Sequence, residues 1–194
     1  MFVKKAILWF LSIKDDILNF VTLKIKQVEY KNIAINGKLV ICGNGKIILG
    51  NGVTINSSLR SNPIGGQERS LFVVSKGAKL EIGNNSGISN TAIVCKQHIR
   101  VGRNVMIGGN TKIYDTDFHS LDYKKRLSPK TDIAVNRPIS IEDGAFVGAH
   151  VIILKGVIIG EKSIIAAGSI VTKSVPAGEL WGGVPAEFIR KLEE

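Results

Sequence analysis

Aliphatic residues recur at every sixth position over most of this chain. A C-terminal run continues without a slip, and its members are Ile141, Val147, Ile153, Ile159, Ile165 and Val171. A middle run has Ile82, Ile88 and Val94 and, after one extra residue, Val101, Ile107 and Ile113. A weaker run opens the array at Ile35, Ile41, Ile47, Val53 and Leu59. Helices repeat at about 3.6 residues and strands at about 2, so neither element alone explains this period.

A second pattern supports the same register. In the middle and C-terminal runs, the position four residues later is small or β-branched in ten cases: Ser86, Ala92, Val105, Thr111, Ala145, Val151, Val157, Ser163, Ser169 and Val175. The two exceptions are His98, at the one-residue insertion, and Asp117, at the break in the repeat. A period of six with frequent glycine favours short parallel strands that turn at regular corners and stack into a prism. We therefore predict an all-β fold, a parallel β-helix, in which no single coil can bury its own apolar face.

The two ends of the chain fall outside this pattern. Residues 1–30 predict an N-terminal helical segment, residues 31–185 the β-helix domain, and residues 186–194 a short C-terminal helix. The N-terminal helix is amphipathic, and its apolar runs are far shorter than the roughly 20 residues that cross a bilayer. It can pack on the rest of the protein, or residues 1–26 can lie on an anionic membrane surface.

The repeat stops once, between Ile113 and Ile141, where a loop excursion is predicted at about 114–140. This segment opens with the letters YDTDFHS and carries Asp115, Asp117 and His119. A long insertion without structure of its own in a compact array is usually functional or disordered. A lone loop histidine in an arbitrary sequence is usually a surface residue, so its setting within the repeats decides the interpretation.

Three stretches carry a resemblance to a known family: VGRNVMIGGNTKIYDTDFHS, IEDGAFVGAHVIILKGVIIGEKSIIAAGSIVTKSVPAG and GGVPAEFIRKL. They resemble the hexapeptide-repeat acyltransferases, and within these the O-acetyltransferases of the maltose and galactoside type and the related polysaccharide acetyltransferases. The resemblance covers about residues 82–192. It implies a left-handed parallel β-helix, an exception to the usual right-handed crossover. It also implies a homotrimer with active sites between subunits and acetyl-CoA as co-substrate.

The resemblance makes His119 the catalytic base. A neutral imidazole can take the proton of a sugar hydroxyl as its oxygen attacks a thioester, an effect worth about 10²–10⁴-fold. The other ring nitrogen needs a carbonyl or carboxylate to fix the tautomer, and Asp117 or Asp115 could serve. The D-x-D-x-H letters could also bind a divalent cation, but one flexible loop rarely supplies a full set of ligands, so we expect no metal.

The other site residues are carried over from the family one at a time. On the acceptor side, Asn90 matches the asparagine that contacts the sugar, and Asp117 is a second substrate-binding candidate. For coenzyme A, the matching positions are Phe146, Gly148, Ala149, Ala167, Thr172, Lys173 and Arg190. Ala149 stands where the family often has serine, which removes a side-chain hydrogen bond. Each of these residues also has a plain structural interpretation, as a coil corner or a solvated surface charge.

Composition narrows the partners. The formal net charge is +10, which suggests anionic partners, although basic stretches are often only solvated surface. No basic stretch alternates with aromatic residues, so nucleic acid is not expected. The two cysteines, Cys42 and Cys95, show no metal spacing, and we expect both to be reduced and close to buried in a cytoplasmic protein.

Three functions compete at this point. The first is acetyl transfer from acetyl-CoA to a sugar hydroxyl. The extra coils and the insert LRSNPIGGQERSLF, absent from the maltose type, favour a cell-envelope or capsular glycan or its precursor as acceptor. The second is acyl transfer to the nitrogen of an amino sugar or nucleotide sugar. The third is a β-helix without acyl transfer, either a metal hydratase or a structural module.

Overall fold

The chain coils into a three-sided parallel β-helix. The structure is a computed structural model that describes residues 2–193, with the backbone alone for residues 2–12. Except for the last two strands, which both join sheet B, successive strands go in rotation to three sheets, which we call A, B and C, so that each full coil contributes one strand to each face. This confirms the predicted β-helix. Every pairing between coils is parallel, because the chain passes each face in the same direction each time.

Sheet A contains β1 (Glu29–Tyr30), β4 (Lys46–Leu49), β7 (Lys79–Ile82), β10 (His98–Val101), β13 (Ile139–Ile141) and β16 (Ile158–Ile159). Sheet B contains β2 (Ile33–Gly37), β5 (Val53–Ser57), β8 (Gly87–Ser89), β11 (Met106–Ile107), β14 (Phe146–Val147), β17 (Ile164–Ile165), β19 (Glu179–Gly182) and β20 (Glu187–Lys191). Sheet C contains β3 (Val40–Cys42), β6 (Leu71–Val74), β9 (Ala92–Cys95), β12 (Lys112–Tyr114), β15 (Ile152–Ile153) and β18 (Ile170–Val171). The helices are α1 (Phe2–Ile25), α2 (Tyr123–Arg126) and a 3₁₀ turn at Pro63–Gly65.

The sixth-position residues form the core. On sheet A, Val101 pairs with Ile141, which pairs with Ile159, and all three side chains are buried. Fully burying one such side chain contributes roughly 1.5–3 kcal/mol, so a column of them holds neighbouring coils together. Each coil supplies only one or two inward strand residues per face, as Ile99 and Val101 do on β10, so the core exists only as a stack.

Two positions depart from the predicted register. Leu59 is exposed, because the chain leaves the coil there to form the insert before β6. Val94 is only half-buried, and its neighbour Ile93 is the residue inside, paired with the buried Ile113. The predicted register is therefore wrong by one residue on this strand. Ile93 takes the inward position five residues after Ile88, and the extra residue is accommodated in the turn between β9 and β10.

Left-handed residues make the corners. Asn85 and Asn104 turn from sheet A to sheet B with φ of 59° and 55°, and Asn90, Asn110 and His150 turn from sheet B to sheet C with φ of 46°, 60° and 59°. Asparagine is the non-glycine residue that best tolerates this conformation, which explains its recurrence at the corners. His150 is therefore a corner residue on the exposed surface.

Helix α1 closes the N-terminal end of the prism. The Asn19 side chain donates to the carbonyl of Gly37 (2.8 Å) and accepts from the amide of Leu39 (3.0 Å), so it satisfies the backbone at the end of β2. Leu23 is buried against the first coil. At the other end of the helix, the Lys26 ammonium donates to the carbonyl of Gly43 (2.8 Å). In the part of the chain that the structure describes, no helix combines the length and apolar character needed to cross a membrane.

The C-terminal end is a strand, and the predicted helix at 186–194 is wrong. Residues 187–191 form β20, which runs antiparallel to β19 and pairs Trp181 with Phe188 and Leu180 with Arg190. A helix of under about a dozen residues is marginal unless it can pack, whereas the open edge of β19 offers an immediate hydrogen-bond template. The tail therefore extends sheet B by one strand.

Candidate active site

The loop that interrupts the repeat leaves the prism at the edge where sheet C meets sheet A. It starts after β12 and returns at β13, and its two ends pair with each other. The amide of Asp117 donates to the carbonyl of Val135 (3.1 Å), and that of Arg137 donates to the carbonyl of Asp115 (2.9 Å). The base of the loop is thus a short antiparallel ribbon, and the loop is an ordered projection of the prism.

His119 forms a close pair with Asp132 in this loop. The imidazole Nδ1 lies 2.6 Å from Oδ2 of Asp132, and the other carboxylate oxygen accepts the amide of Ser120 at 2.7 Å. The side chain of His119 is 68% exposed, while that of Asp132 is only 15% exposed. The ring is therefore held on its inner side and presented to solvent on its outer side.

The state of the carboxylate sets the tautomer of the imidazole. The hydrogen bond from His119, followed by that from the amide of Ser120, lowers the pKa of Asp132. An ionised carboxylate can only accept, so Nδ1 carries the proton. Nε2 of a neutral His119 then has a free lone pair on the exposed side. This is the arrangement that a general base needs.

Further contacts hold the His119 segment in place. Arg126, at the end of α2, donates to the carbonyl of Ser120 at 2.6 Å. Phe118 adopts φ of 64°, and its ring meets Tyr114 edge-on at 5.2 Å between centroids. Asp122 caps α2 by accepting the amide of Lys124 (2.9 Å). Because both neighbours of His119 are bonded or stacked, the imidazole has little freedom to swing away.

Asp115 does not hold the histidine. Its carboxylate is fully buried and accepts the amides of Lys96 (2.7 Å), Gln97 (2.8 Å) and His98 (3.0 Å). These residues form the widened turn that absorbs the extra residue between β9 and β10. Asp115 is therefore a structural acceptor, and its proposed role as partner of His119 is corrected.

Asp117 also lies away from the imidazole. One of its carboxylate oxygens pairs with the ammonium of Lys155 at 2.7 Å, on the next turn of the same edge. The other oxygen is buried and has no hydrogen-bond partner within the described residues. Asp132 takes the orienting role instead, and sequence reasoning missed it because it lies 13 residues beyond the histidine with no spacing that marks it.

Asn90 sits at the corner between sheets B and C, fully buried under the insert that joins β5 to β6. Its amide donates to the carbonyl of Glu68, and its Oδ1 is buried without a partner among the described residues. Gly65 of the insert lies against the Asn90 side chain and also against Gly109 of the next coil. A sugar can thus reach this amide only if the insert moves, which sequence reasoning did not anticipate.

Five of the coenzyme A candidates line sheet B or its edge with sheet C. Phe146 is exposed on the outer face of β14, and Gly148 and Ala149 form the turn that follows. Ala167 lies beneath them, where a Cβ on Gly148 would come within 2.6 Å of its backbone nitrogen. Arg190 lies on β20, three strands from β14, at about 14 Å by strand spacing.

The remaining candidates lie elsewhere. Thr172 and Lys173 are exposed after β18, on the edge between sheets C and A, which is also the edge of the His119 loop. A single chain therefore divides the predicted site between two edges of the prism. Asn90 shares the edge of Gly148 and Ala149, and His119 does not.

Comparisons with known proteins agree with this architecture. A family model described as the hexapeptide repeat of succinyl-transferase matches residues 138–173. Galactoside O-acetyltransferase of Escherichia coli is 36% identical over 121 residues, which are 62% of this chain and 58% of that protein. Over this part of its length, the chain resembles the hexapeptide-repeat acetyltransferases. It spans 44% to 61% of the length of the first curated relatives that it matches.

Solved structures of similar proteins extend the comparison. The hexapeptide-repeat acetyltransferase VCA0836 of Vibrio cholerae, in complex with acetyl coenzyme A, is 37% identical and matches with a TM-score of 0.55 over 59% of this chain and 61% of that one. The N-acyltransferase AntD of Bacillus cereus matches with a TM-score of 0.69 over 88% of this chain and 86% of that one. At 23% identity, AntD shows the shared fold alone. Within residues 2–193, no three His, Cys, Asp or Glu side chains converge as metal ligands.

Proposed function

We propose that this protein transfers an acetyl group from acetyl-CoA to a sugar hydroxyl, with His119 as general base and Asp132 as its positioning residue. The observation that carries the proposal is the 2.6 Å pair between His119 and Asp132 on an exposed, braced loop. A hydroxyl is a weak nucleophile near neutral pH and needs such a base. An amine that is unprotonated near neutral pH needs it less, so the geometry favours the oxygen acceptor over the nitrogen acceptor.

The reaction follows from the tautomer. Nε2 of His119 removes the hydroxyl proton as the oxygen forms a bond to the thioester carbonyl carbon. The resulting imidazolium is stabilised by the Asp132 carboxylate, and backbone N–H groups at the coil corners can bind the oxyanion. When the carbon–sulfur bond breaks, the imidazolium returns the proton to the departing thiolate of coenzyme A. The products are the acetyl ester and free coenzyme A, and His119 is neutral again.

We further infer a homotrimer in which each site forms between two subunits. Support comes from the split of the candidate residues, with His119 at one edge of the prism and Gly148 and Ala149 at another. Parallel columns around a three-fold axis place one edge of each chain beside a different edge of its neighbour. The acyl donor would then lie along Phe146, Gly148, Ala149 and the neighbouring backbone, where the base of the next subunit reaches it.

The acceptor that we propose is a sugar of a cell-envelope or capsular glycan or its precursor. The insert between β5 and β6 covers Asn90. The surface that would contact the acceptor there is therefore formed by exposed residues of the insert, such as Arg60, Glu68 and Arg69. Asn90 would act through the insert by anchoring it. A surface this broad suits an extended acceptor better than a small free disaccharide.

The deciding experiment measures thiol release from acetyl-CoA over a panel of hydroxy and amino sugars and glycan fragments. His119→Ala should lower turnover by at least about 10²-fold, with an unchanged melting temperature. Asp132→Asn should lower it by about tenfold or more and alter the acid side of the pH–rate profile, because it acts through His119. The double variant should be no worse than His119→Ala, as expected for two groups that act as one unit.

Controls separate this mechanism from a loss of loop structure. Asp122→Asn changes a carboxylate in the same loop that caps α2 and does not touch the imidazole, so it should retain most activity. Wild-type turnover by His119→Ala would overturn the mechanism. If only amino sugars supported turnover, the acceptor atom would be nitrogen and the proposed oxygen acceptor would be wrong.

The shared site has its own test. His119→Ala and Ala149→Trp should each be inactive, the second because it fills the donor groove. Refolding the two together should restore about one quarter of wild-type activity, since one interface in four then joins an intact base to an intact groove. No recovery from well-mixed oligomers would mean that each site lies within one chain.

A further inference from the structure

Over residues 13–25, where the side chains of α1 are described, the outward half of the helix is rich in exposed apolar side chains. Asn19 and Leu23 point into the first coil and are buried. On the opposite half, the side chains of Ile17, Phe20, Val21 and Ile25 are 44% to 71% exposed. Their spacing of three and four residues places them in one stripe along the helix. An apolar stripe of this kind marks an interaction surface.

The charges on this half are all positive. Between residues 13 and 25, Lys14 and Lys24 are exposed and lie on the outward half at about 100° per residue. The ammonium of Lys24 is 5.8 Å from the centre of the Phe20 ring. By the same helical geometry, Asp15 and Asp16 lie on the other half of the helix, the half that carries Asn19. Between residues 13 and 25, the charged side chains on the outward half are therefore both cations.

This combination selects the partner. In a symmetric bundle of α1 helices from several copies, Lys14 and Lys24 would approach their own equivalents, and like charges repel. Against anionic phosphates the same lysines are attracted, while the apolar side chains enter the acyl boundary. The position of α1 also permits it, because Asn19 and Lys26 fasten it across the end of the first coil. Its outer half points away from the column.

We propose that the outward half of α1, formed by Ile17, Phe20, Val21, Ile25 and the two lysines, docks on an anionic lipid surface with the helix axis in the plane of the membrane. This interaction does not depend on the acetyl transfer proposed above. It would hold the column upright on the membrane and keep the catalytic loop at a fixed height above the headgroups.

The test is co-sedimentation of the full chain with vesicles of phosphatidylcholine and phosphatidylglycerol in about a 2:1 ratio, at low salt and without acetyl-CoA. The wild type should bind these vesicles and should leave them as salt is added. Lys14→Glu with Lys24→Glu should weaken binding by at least about tenfold. Phe20→Ser with Ile25→Ser should weaken it by at least a similar factor, since it removes buried apolar area.

Matched controls keep the result interpretable. Ile158→Ser replaces an isoleucine of similar exposure (51%) on sheet A, far from α1, and should bind like the wild type. Melting temperature and oligomer mass are measured for each variant, and the lysine pair decides if the serine pair does not fold. Absence of binding by the wild type would overturn the proposal. So would a lysine pair that binds normally, or outward-face variants whose only effect is a smaller oligomer.

Discussion

Replacing Asp115 tests the division of labour within the loop. Its buried carboxylate accepts the amides of Lys96, Gln97 and His98 at 2.7, 2.8 and 3.0 Å. A hydrogen bond to a charged group contributes about 1.5–3 kcal/mol, so three could contribute about 4–9 kcal/mol. Lys96 and Gln97 are exposed residues whose amides can turn to water, which reduces the cost. We expect Asp115→Ala to lower the free energy of unfolding by about 2–4 kcal/mol.

The assay is thermal unfolding at fixed protomer concentration, because the stability of an oligomer depends on concentration. For a chain of this size the loss corresponds to roughly 4–16 °C in melting temperature. Asp115→Asn should lie between the wild type and Asp115→Ala, because one oxygen can still accept. Asp122→Ala is the control, since it removes one exposed helix cap and should cost about 1 kcal/mol or less.

The reasoning fails if Asp115→Ala melts within about 1 kcal/mol of the wild type. If such a stable variant also lost turnover by about 10²-fold, Asp115 would act on the imidazole and not on the turn. Conversely, activity that survives below the lowered melting temperature would support a structural role. The two outcomes are separable because stability and turnover are measured on the same sample.

Three further predictions concern groups outside the loop. Burial, followed by a nearby carboxylate, raises the pKa of Cys95 to about 12, so a thiol reagent should modify Cys42 alone in the native chain and both after unfolding. Gly148→Ala should lower stability by about 1–3 kcal/mol, because its Cβ would meet backbone at 2.6 Å, whereas Gly87→Ala has open space and should be near neutral. Hydrogen bonds from the backbone and then the side chain of Arg103 lower the pKa of Asp143. The ionised carboxylate therefore stabilises the fold above about pH 4, and this stabilisation is lost as the pH falls through the pKa of the folded state. In urea unfolding across pH, Asp143→Asn should flatten the decline in stability on the acid side.

The β-helix could be predicted because one physical requirement repeats with every coil. The inward position of each face must be aliphatic, as at Ile141 and Ile159, and the corner must tolerate a left-handed backbone, as at Asn85 and Asn104. Both patterns predict the same coil. The break at the loop was equally visible. Six residues after Ile113, the sequence has His119 in place of an aliphatic residue, and an imidazole at a buried position of the column would be destabilising. These signals are local in sequence, and the pattern contains them directly.

The departures arise from contacts between distant segments. Cys42 is exposed, against expectation, because it lies beyond the inward position of β3, whereas Cys95 is buried as expected. Asp132 meets His119 only because both ends of the loop pair at its base. The insert covers Asn90 through a fold of its own that no periodicity describes. The last strand depends on the free edge of β19, which exists only once the column has formed.

That free edge points to a general problem of coiled sheets. A β-helix has no natural end, because each terminal coil offers the next molecule the same hydrogen-bond template that built it. Here a helix laid across the first coil and an antiparallel strand along the last one terminate the stack in different ways. Chains that lack either closure should join end to end into filaments, so the two terminal segments determine whether this sequence yields a discrete particle or a fibre.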